Sequence, residues 1–150
     1  GYGCVDVAEG ALEPTLIEAG VVRFKSGQSL DDRLKQLYAD LSELIAELKP
    51  DVVAIEKLYA HYKHPRTAII MAHGRGVILL AAAQAGLPVE DLPSTAVKKS
   101  ITGNGHASKQ QIQQAVRSQY RLPQPPTPPD VADAIAIATC HARRVAVERI

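Results

Sequence analysis

The sequence predicts a three-layer α/β fold with a mixed sheet, formed by the 150 residues as one domain. Three observations carry that expectation. Short β-prone runs alternate with helical segments, as they do when strands cross over through helices. The run Val52 to Ile55 is unbroken apolar, the pattern of a strand covered on both faces, whereas the leucines at 30, 34, 37, 41, 44 and 48 keep the helical period. A hydrophobic content of 46% over this length is enough for one respectable core, and no linker is long enough to divide two.

In chain order, Gly3 to Ala8 and Leu16 to Phe24 read as the strands of an antiparallel hairpin around the Glu9-Gly10 turn. Ser29 caps the leucine-periodic helix, with Asp31 and Asp32 favourably placed in its first turn, and Pro50-Asp51 ends it. A strand follows over Val52 to Leu58. The next helix runs from about Pro65 to Ala85, stopped by Gly86, and Val89 to Leu92 is a short strand. Ser108 followed by Gln111 is a capping-box signature after the Gly103-Asn104-Gly105 loop. The proline-rich stretch Pro123 to Pro129 leads into a final apolar helix that includes Val131 to Ala138.

Composition narrows the function classes. Cys4 and Cys140 are far apart and in no CxxC pattern, which argues against a disulfide framework or structural zinc and fits a cytoplasmic protein. The stretch Ala68 to Leu87 is interrupted by His73, Arg75 and three glycines, so it reads as a buried helix and not a membrane span; no signal peptide is visible. The net charge of +1 hides a polarised chain. Residues 1 to 56 carry five cations and eleven acids, whereas Lys57 to Pro129 carry nine cations against Glu90 and Asp91 alone. Acidic stations beside such a basic tract suit a metal-dependent enzyme acting on a polyanion, because cations hold phosphates and carboxylates hold ions.

Three acids are the candidates for that chemistry. Glu56 ends an apolar strand, where a carboxylate is costly unless it is paired, bound to metal or reaching solvent. Asp130 and Asp133 are three apart and share one helix face. Each is also an ordinary residue for a helix start, where it serves as cap and dipole partner. Against the capping reading, Asp133 precedes Ala134-Ile135-Ala136 and therefore faces packed structure. His61, His64, His73, His106 and His141 show no zinc spacing, although His61 and His64 lie with Lys63 and Arg66 where they could touch such a polyanion.

Several separated motifs, in order over nearly the whole chain, carry a resemblance. Gly1-Tyr2-Gly3, Val53-Ala54-Ile55-Glu56, Gly74-Arg75-Gly76-Val77, Val97-Lys98, Gly103-Asn104-Gly105, Lys109 and the stretch from Asp130 to Ala138 together resemble the RuvC family of Holliday junction resolvases. The resemblance implies a ribonuclease H-like fold, a homodimer, and cutting of two opposed strands of four-way junction DNA with two Mg2+ ions per active site, Mn2+ being an alternative. It implies metal-binding catalytic roles for Glu56, Asp130 and Asp133. Lys98 and Lys109 match basic positions near the scissile strand, Lys109 as a catalytic residue, where an ammonium holds phosphate or offsets transition-state charge; the bland reading of each is a solvated surface lysine. Tyr59 matches an aromatic that stacks on an unpaired base, worth about 1–3 kcal/mol, and Arg75 is a further DNA-binding candidate. A RuvA-RuvB branch-migration complex is the implied partner, and no membrane is expected.

The family's first catalytic aspartate lies on a strand just before its Gly-Tyr-Gly segment, and this chain begins at that segment. A fragment lacking its central first strand is therefore expected. Alternation places Asp6 on the face of Cys4, away from Val5 and Val7, so it is no replacement. A non-catalytic junction-binding protein of the same fold is the alternative this leaves open.

Overall fold

The N-terminal hairpin forms, with shorter strands than the β-prone runs. In the computed structural model, which describes residues 1–58 and 63–150, β1 (Tyr2–Asp6) pairs antiparallel with β2 (Thr15–Gly20). The register slips between Cys4 and Val5, a bulge that interrupts the strict alternation of faces. Asp6, paired with Thr15 at the strand end, is exposed. A second two-stranded sheet joins β3 (Val53–Glu56) to β4 (Val89–Leu92). β3 is half-buried up to Ile55 and exposed at Glu56, so the strand expected over Val52 to Leu58 is shorter and less covered than its apolar run suggested. The described residues form two compact units, whose boundary passes through both strands of this second sheet.

One unit comprises Gly1–Val21, Ala54–Glu56 and Asp91–Ile150. It holds β1, β2, α3 (Ser94–Thr102), α4 (Lys109–Tyr120) and α5 (Pro129–Glu148). α5 continues well beyond the apolar stretch that announced it, and it begins after a cis Thr127-Pro128 bond. β1, α3 and α4 all pack on it. Its buried positions Val131, Ala132, Ile135, Ala136, Thr139, Cys140, Ala142 and Ala146 trace one helical stripe. That stripe meets Leu92, Val97, Ile112 and Val116 to make the core. Thr139, fully buried, donates to the Ile135 carbonyl at 2.7 Å and pairs with the Tyr120 hydroxyl at 2.5 Å, so its polarity is satisfied. Near the far end of α5, Arg143 grips Glu13 from the β1–β2 connection with Nε and Nη2, the shortest contact being 2.8 Å. The same guanidinium donates to the Ser100 carbonyl of α3 and to Gln119 Oε1 of α4 at 2.9 Å. One cation thus joins four segments.

The other unit comprises Val22–Val53 and Lys57–Glu90, with α1 (Leu30–Leu48) packed against α2 (Pro65–Gln84). Ser29 is the N-cap of α1, its hydroxyl accepting from the Asp32 N–H at 3.4 Å, and Asp31 and Asp32 occupy the first turn. Lys49, left-handed at φ 48°, closes the helix before Pro50. α2 starts with Pro65 and stops before Gly86, as its sequence indicates. The expectation that α2 is buried is corrected. Only Ala81 and Ala82 are buried among its residues, while Ile69, Ile70, Met71, Leu79 and Leu80 are exposed. The helix is apolar all round, so one neighbouring helix covers a single stripe and leaves the rest open. By length and composition α2 is long and apolar enough to cross a membrane.

Candidate active site

The entry of α5 sets the position of two carboxylates. Pro128 is the N-cap and Pro129 the first helical residue, so neither aspartate is the cap. Asp130 lies exposed in the first turn, and Asp133 stands half-buried one turn further in. Both lie where the helix presents its positive end. β1 runs unusually close to this turn. A Cβ on Gly3 would stand 3.0 Å from the Ile135 N, Cα and Cγ1, so the missing side chain is what lets the strand lie against the helix just past Asp133. The sequence reading did not find this contact; the available signal was a glycine inside a strand, which marks a close backbone approach.

Glu56 reaches the same place from β3, its end lying in the same compact unit as α5. Burial of its carboxyl end, then the negative charge of Asp133, push its pKa up, and Lys98 opposes them. Glu56 as a residue is nonetheless exposed, so that desolvation is partial. The Asp133 carboxyl is likewise raised, first by burial and further by Asp130, with Lys109 the strongest opposing charge and Lys98 a weaker one. Electrostatically, then, Glu56, Asp130, Asp133, Lys98 and Lys109 form one constellation.

The two lysines are held by local structure. Lys98 is half-buried on α3, and its carbonyl accepts from the Thr102 hydroxyl at 2.7 Å. Gly103, at φ 81°, then ends that helix in the left-handed conformation that glycine adopts without strain. Lys109 is the first residue of α4, whose start is fixed by the reciprocal capping box: Gln111 N–H donates to Ser108 Oγ at 3.1 Å and Ser108 N–H to Gln111 Oε1 at 2.8 Å. These local rules place one cation on each helix beside the acids.

Like-charged carboxyls gathered where burial already disfavours ionisation are a costly arrangement that a divalent cation relieves. The donors are hard oxygens, suited to Mg2+, Mn2+ or Ca2+. Among the described residues no group of three or more His, Cys, Asp or Glu stands close enough to hold an ion by itself. That is compatible with Mg2+, which ordinarily takes one or two carboxylates together with waters and substrate phosphates. The residues present fit such an ion, with Glu56 and Asp133 the pair under most strain without it.

Tyr59 and His61 lie outside the described residues. Arg75 is half-buried on α2, in the other compact unit.

A family model described as crossover junction endodeoxyribonuclease RuvC matches residues 1–141. The chain is 52% identical over 125 residues to a crossover junction endodeoxyribonuclease RuvC of Rhodopirellula baltica, covering 83% of this chain and 70% of that protein. It is 41% identical over 149 residues to one from Pelotomaculum thermopropionicum, covering 99% and 89%. Among solved structures it resembles T. thermophilus RuvC in complex with a Holliday junction substrate, with a TM-score of 0.86 and 31% identity over 98% of this chain and 88% of that one. A structure of Thermus thermophilus RuvC matches with a TM-score of 0.83 at 31% identity, covering 98% of this chain and 89% of that one.

Proposed function

We propose that this chain, which belongs to the crossover junction endodeoxyribonuclease RuvC family, resolves four-way DNA junctions by cutting opposed strands at the carboxylate cluster of Glu56, Asp130 and Asp133. It is an endodeoxyribonuclease of ribonuclease H-like fold, and the nucleases of its family are metal-dependent. The observation that carries the assignment of the site is the charge coupling of Glu56 and Asp133, with Lys98 acting on both acids. Junction binding without cleavage is not favoured, because the relatives are named as endodeoxyribonucleases.

Glu56 and Asp133 would hold the metal, Mg2+ as two ions in this reading, with Asp130 contributing from the first turn of α5. When bound, divalent ions supply Lewis acidity at the phosphoryl oxygens and lower the pKa of the attacking water. The protein's own contributions are positional and electrostatic. Lys98 and Lys109 direct ammonium groups at the acid cluster, where they hold the scissile phosphate and offset the charge that grows on it in the transition state. Displacement of the 3′ oxygen by water leaves a 5′ phosphate and a 3′ hydroxyl as the expected products.

The remaining assignments rest on the family and on composition. Tyr59 is assigned the base-stacking role and Arg75 a phosphate contact. The chain acts as one nuclease domain in a homodimer, for which the uncovered apolar residues of α2 supply a surface of the right character. Its partners are junction DNA and a RuvA-RuvB complex, and its compartment is the cytoplasm.

Labelled four-way junction and linear duplex, each incubated with the protein across a Mg2+ titration, test the reading. Paired nicks in opposed strands of the junction alone are expected. Equal cutting of both substrates, or cutting that survives chelation of the metal, would overturn it.

A further inference from the structure

Lys98 and Lys109, the two lysines whose charges act on Asp133, stand on different helices of one compact unit, joined by residues 103–108. Each helix end has its own cap. The Gly103 N–H donates to the Lys99 carbonyl at 2.9 Å and closes α3, and the Ser108–Gln111 box opens α4. Thr102 and Asn104 serve neither cap, and their hydrogen bonds run along the connection instead. The half-buried Thr102 hydroxyl donates to the carbonyl of Lys98 at 2.7 Å and accepts from the Asn104 N–H at 3.0 Å. Asn104 Oδ1 in turn accepts from the His106 N–H at 2.9 Å, the turn that an asparagine side chain forms with backbone two residues on. The Asn104 carbonyl accepts from the Ala107 N–H at 3.2 Å, and Ala107 is buried in the core. A Cβ on Gly105 would stand 3.3 Å from the Thr95 carbonyl oxygen, so the loop lies back against the first turn of α3.

This chain of bonds starts at the backbone of one lysine and ends at the residue before the N-cap of the helix that carries the other. Without the Thr102 hydroxyl and the Asn104 amide both helices would keep their caps, but the path between them would be free to shift, and Lys109 with it. Position matters for such a group, because a misplacement of about 1 Å can cost roughly a hundredfold in rate. We propose that Thr102 and Asn104 are positioning residues that hold Lys109 in register with Lys98, so that both ammonium groups meet the scissile phosphate together. They act through Lys109 and not through contact with DNA. The inference rests on the proposed junction-cleaving function and adds to it what sets the spacing of its two cations.

A double-mutant cycle tests it. Thr102→Val and Asn104→Ala are made in the parent and in Lys109→Ala, and junction affinity is measured in chelator, with single-turnover cleavage in Mg2+ alongside. In the parent each change should weaken binding by about threefold, near the lower end of the coupling between interacting residues, and slow cleavage by about tenfold, short of the loss that a full 1 Å shift can bring. In Lys109→Ala neither should weaken binding further, because the lysine they position is gone. Thr102→Ser, which keeps the hydroxyl, should restore most of both losses, and thermal melts show that the variants remain folded. Losses that add in full to that of Lys109→Ala overturn the proposal, since a merely structural role does not depend on the lysine. So does parent-like binding and cleavage by folded Thr102→Val and Asn104→Ala. A parent that binds junctions and cuts none defeats the nuclease reading, while the binding cycle still decides the positioning role, so the two failures are distinguishable.

Discussion

The charge of Asp133, one turn into α5, falls on Glu56 at the end of β3 and pushes its carboxyl pKa upward, on top of the larger effect of burial. Two acids from distant parts of the chain therefore meet at a cost to the folded protein. A cost of this kind is expected where carboxylates are gathered for metal-dependent chemistry.

Asp133→Asn should separate stability from activity. Removing one negative charge relieves Glu56 while deleting a metal ligand, so the variant should melt a few degrees higher than the parent in chelator, on the scale of about 2–4 °C per kcal/mol for a domain of this size. Cleavage of a four-way junction should fall to background, with junction binding close to that of the parent. Normal cleavage by this variant would remove Asp133 from the site.

A raised carboxyl pKa in the folded state means that folding favours the protonated form of Glu56 and Asp133. Their contribution is therefore most favourable at low pH and is lost as pH rises through the folded-state pKa values. In chelator, the difference in melting temperature between Asp133→Asn and the parent should be largest near neutral pH and should shrink as pH falls towards the ordinary carboxylate range. A difference that grows on acidification would contradict the assigned sign.

Lys98→Ala and Lys109→Ala should each weaken junction binding and reduce the slope of log affinity against log salt by about one unit, the signature of one lost phosphate contact. Binding isotherms across a salt series measure it. An unchanged slope would return the lysine to ordinary solvated surface.

Arg143→Ala should destabilise the protein by about 1–3 kcal/mol, as expected for charge-assisted hydrogen bonds. The guanidinium side chain is 23% exposed, so the loss exceeds that of a fully solvated pair. Glu13, 56% exposed, can be rehydrated when its partner goes, and Glu13→Gln should cost less than Arg143→Ala. Denaturant titration of both variants gives the ordering, and equal costs would mean that the Ser100 and Gln119 contacts contribute nothing.

Local rules were legible in the residues. Ser29 and the Ser108–Gln111 box are caps because their side chains bond backbone three positions away, a relation written wholly within a short segment. The spacing of Asp130 and Asp133 likewise determines that they share a helix face, whatever that helix packs against. The strands were harder to bound, because the apolar runs around Val21–Phe24 and Val52–Leu58 extend beyond the residues that pair. Ladder ends depend on a partner strand, which the local run does not contain.

The sequence by itself determined the alternation of elements, the capped starts of α1 and α4, the acidic entry to α5 and the basic stretch ahead of it. Only the tertiary structure decided that Glu56 feels the charge of Asp133, that Gly3 admits β1 to within a missing side chain of Ile135, and that most of α2 is uncovered. Caps and helical periods are short-range properties of a few adjacent residues. Charge coupling, close approach and burial are set by which distant segments arrive side by side, and an apolar residue carries the same hydropathy whether or not a neighbour comes to cover it.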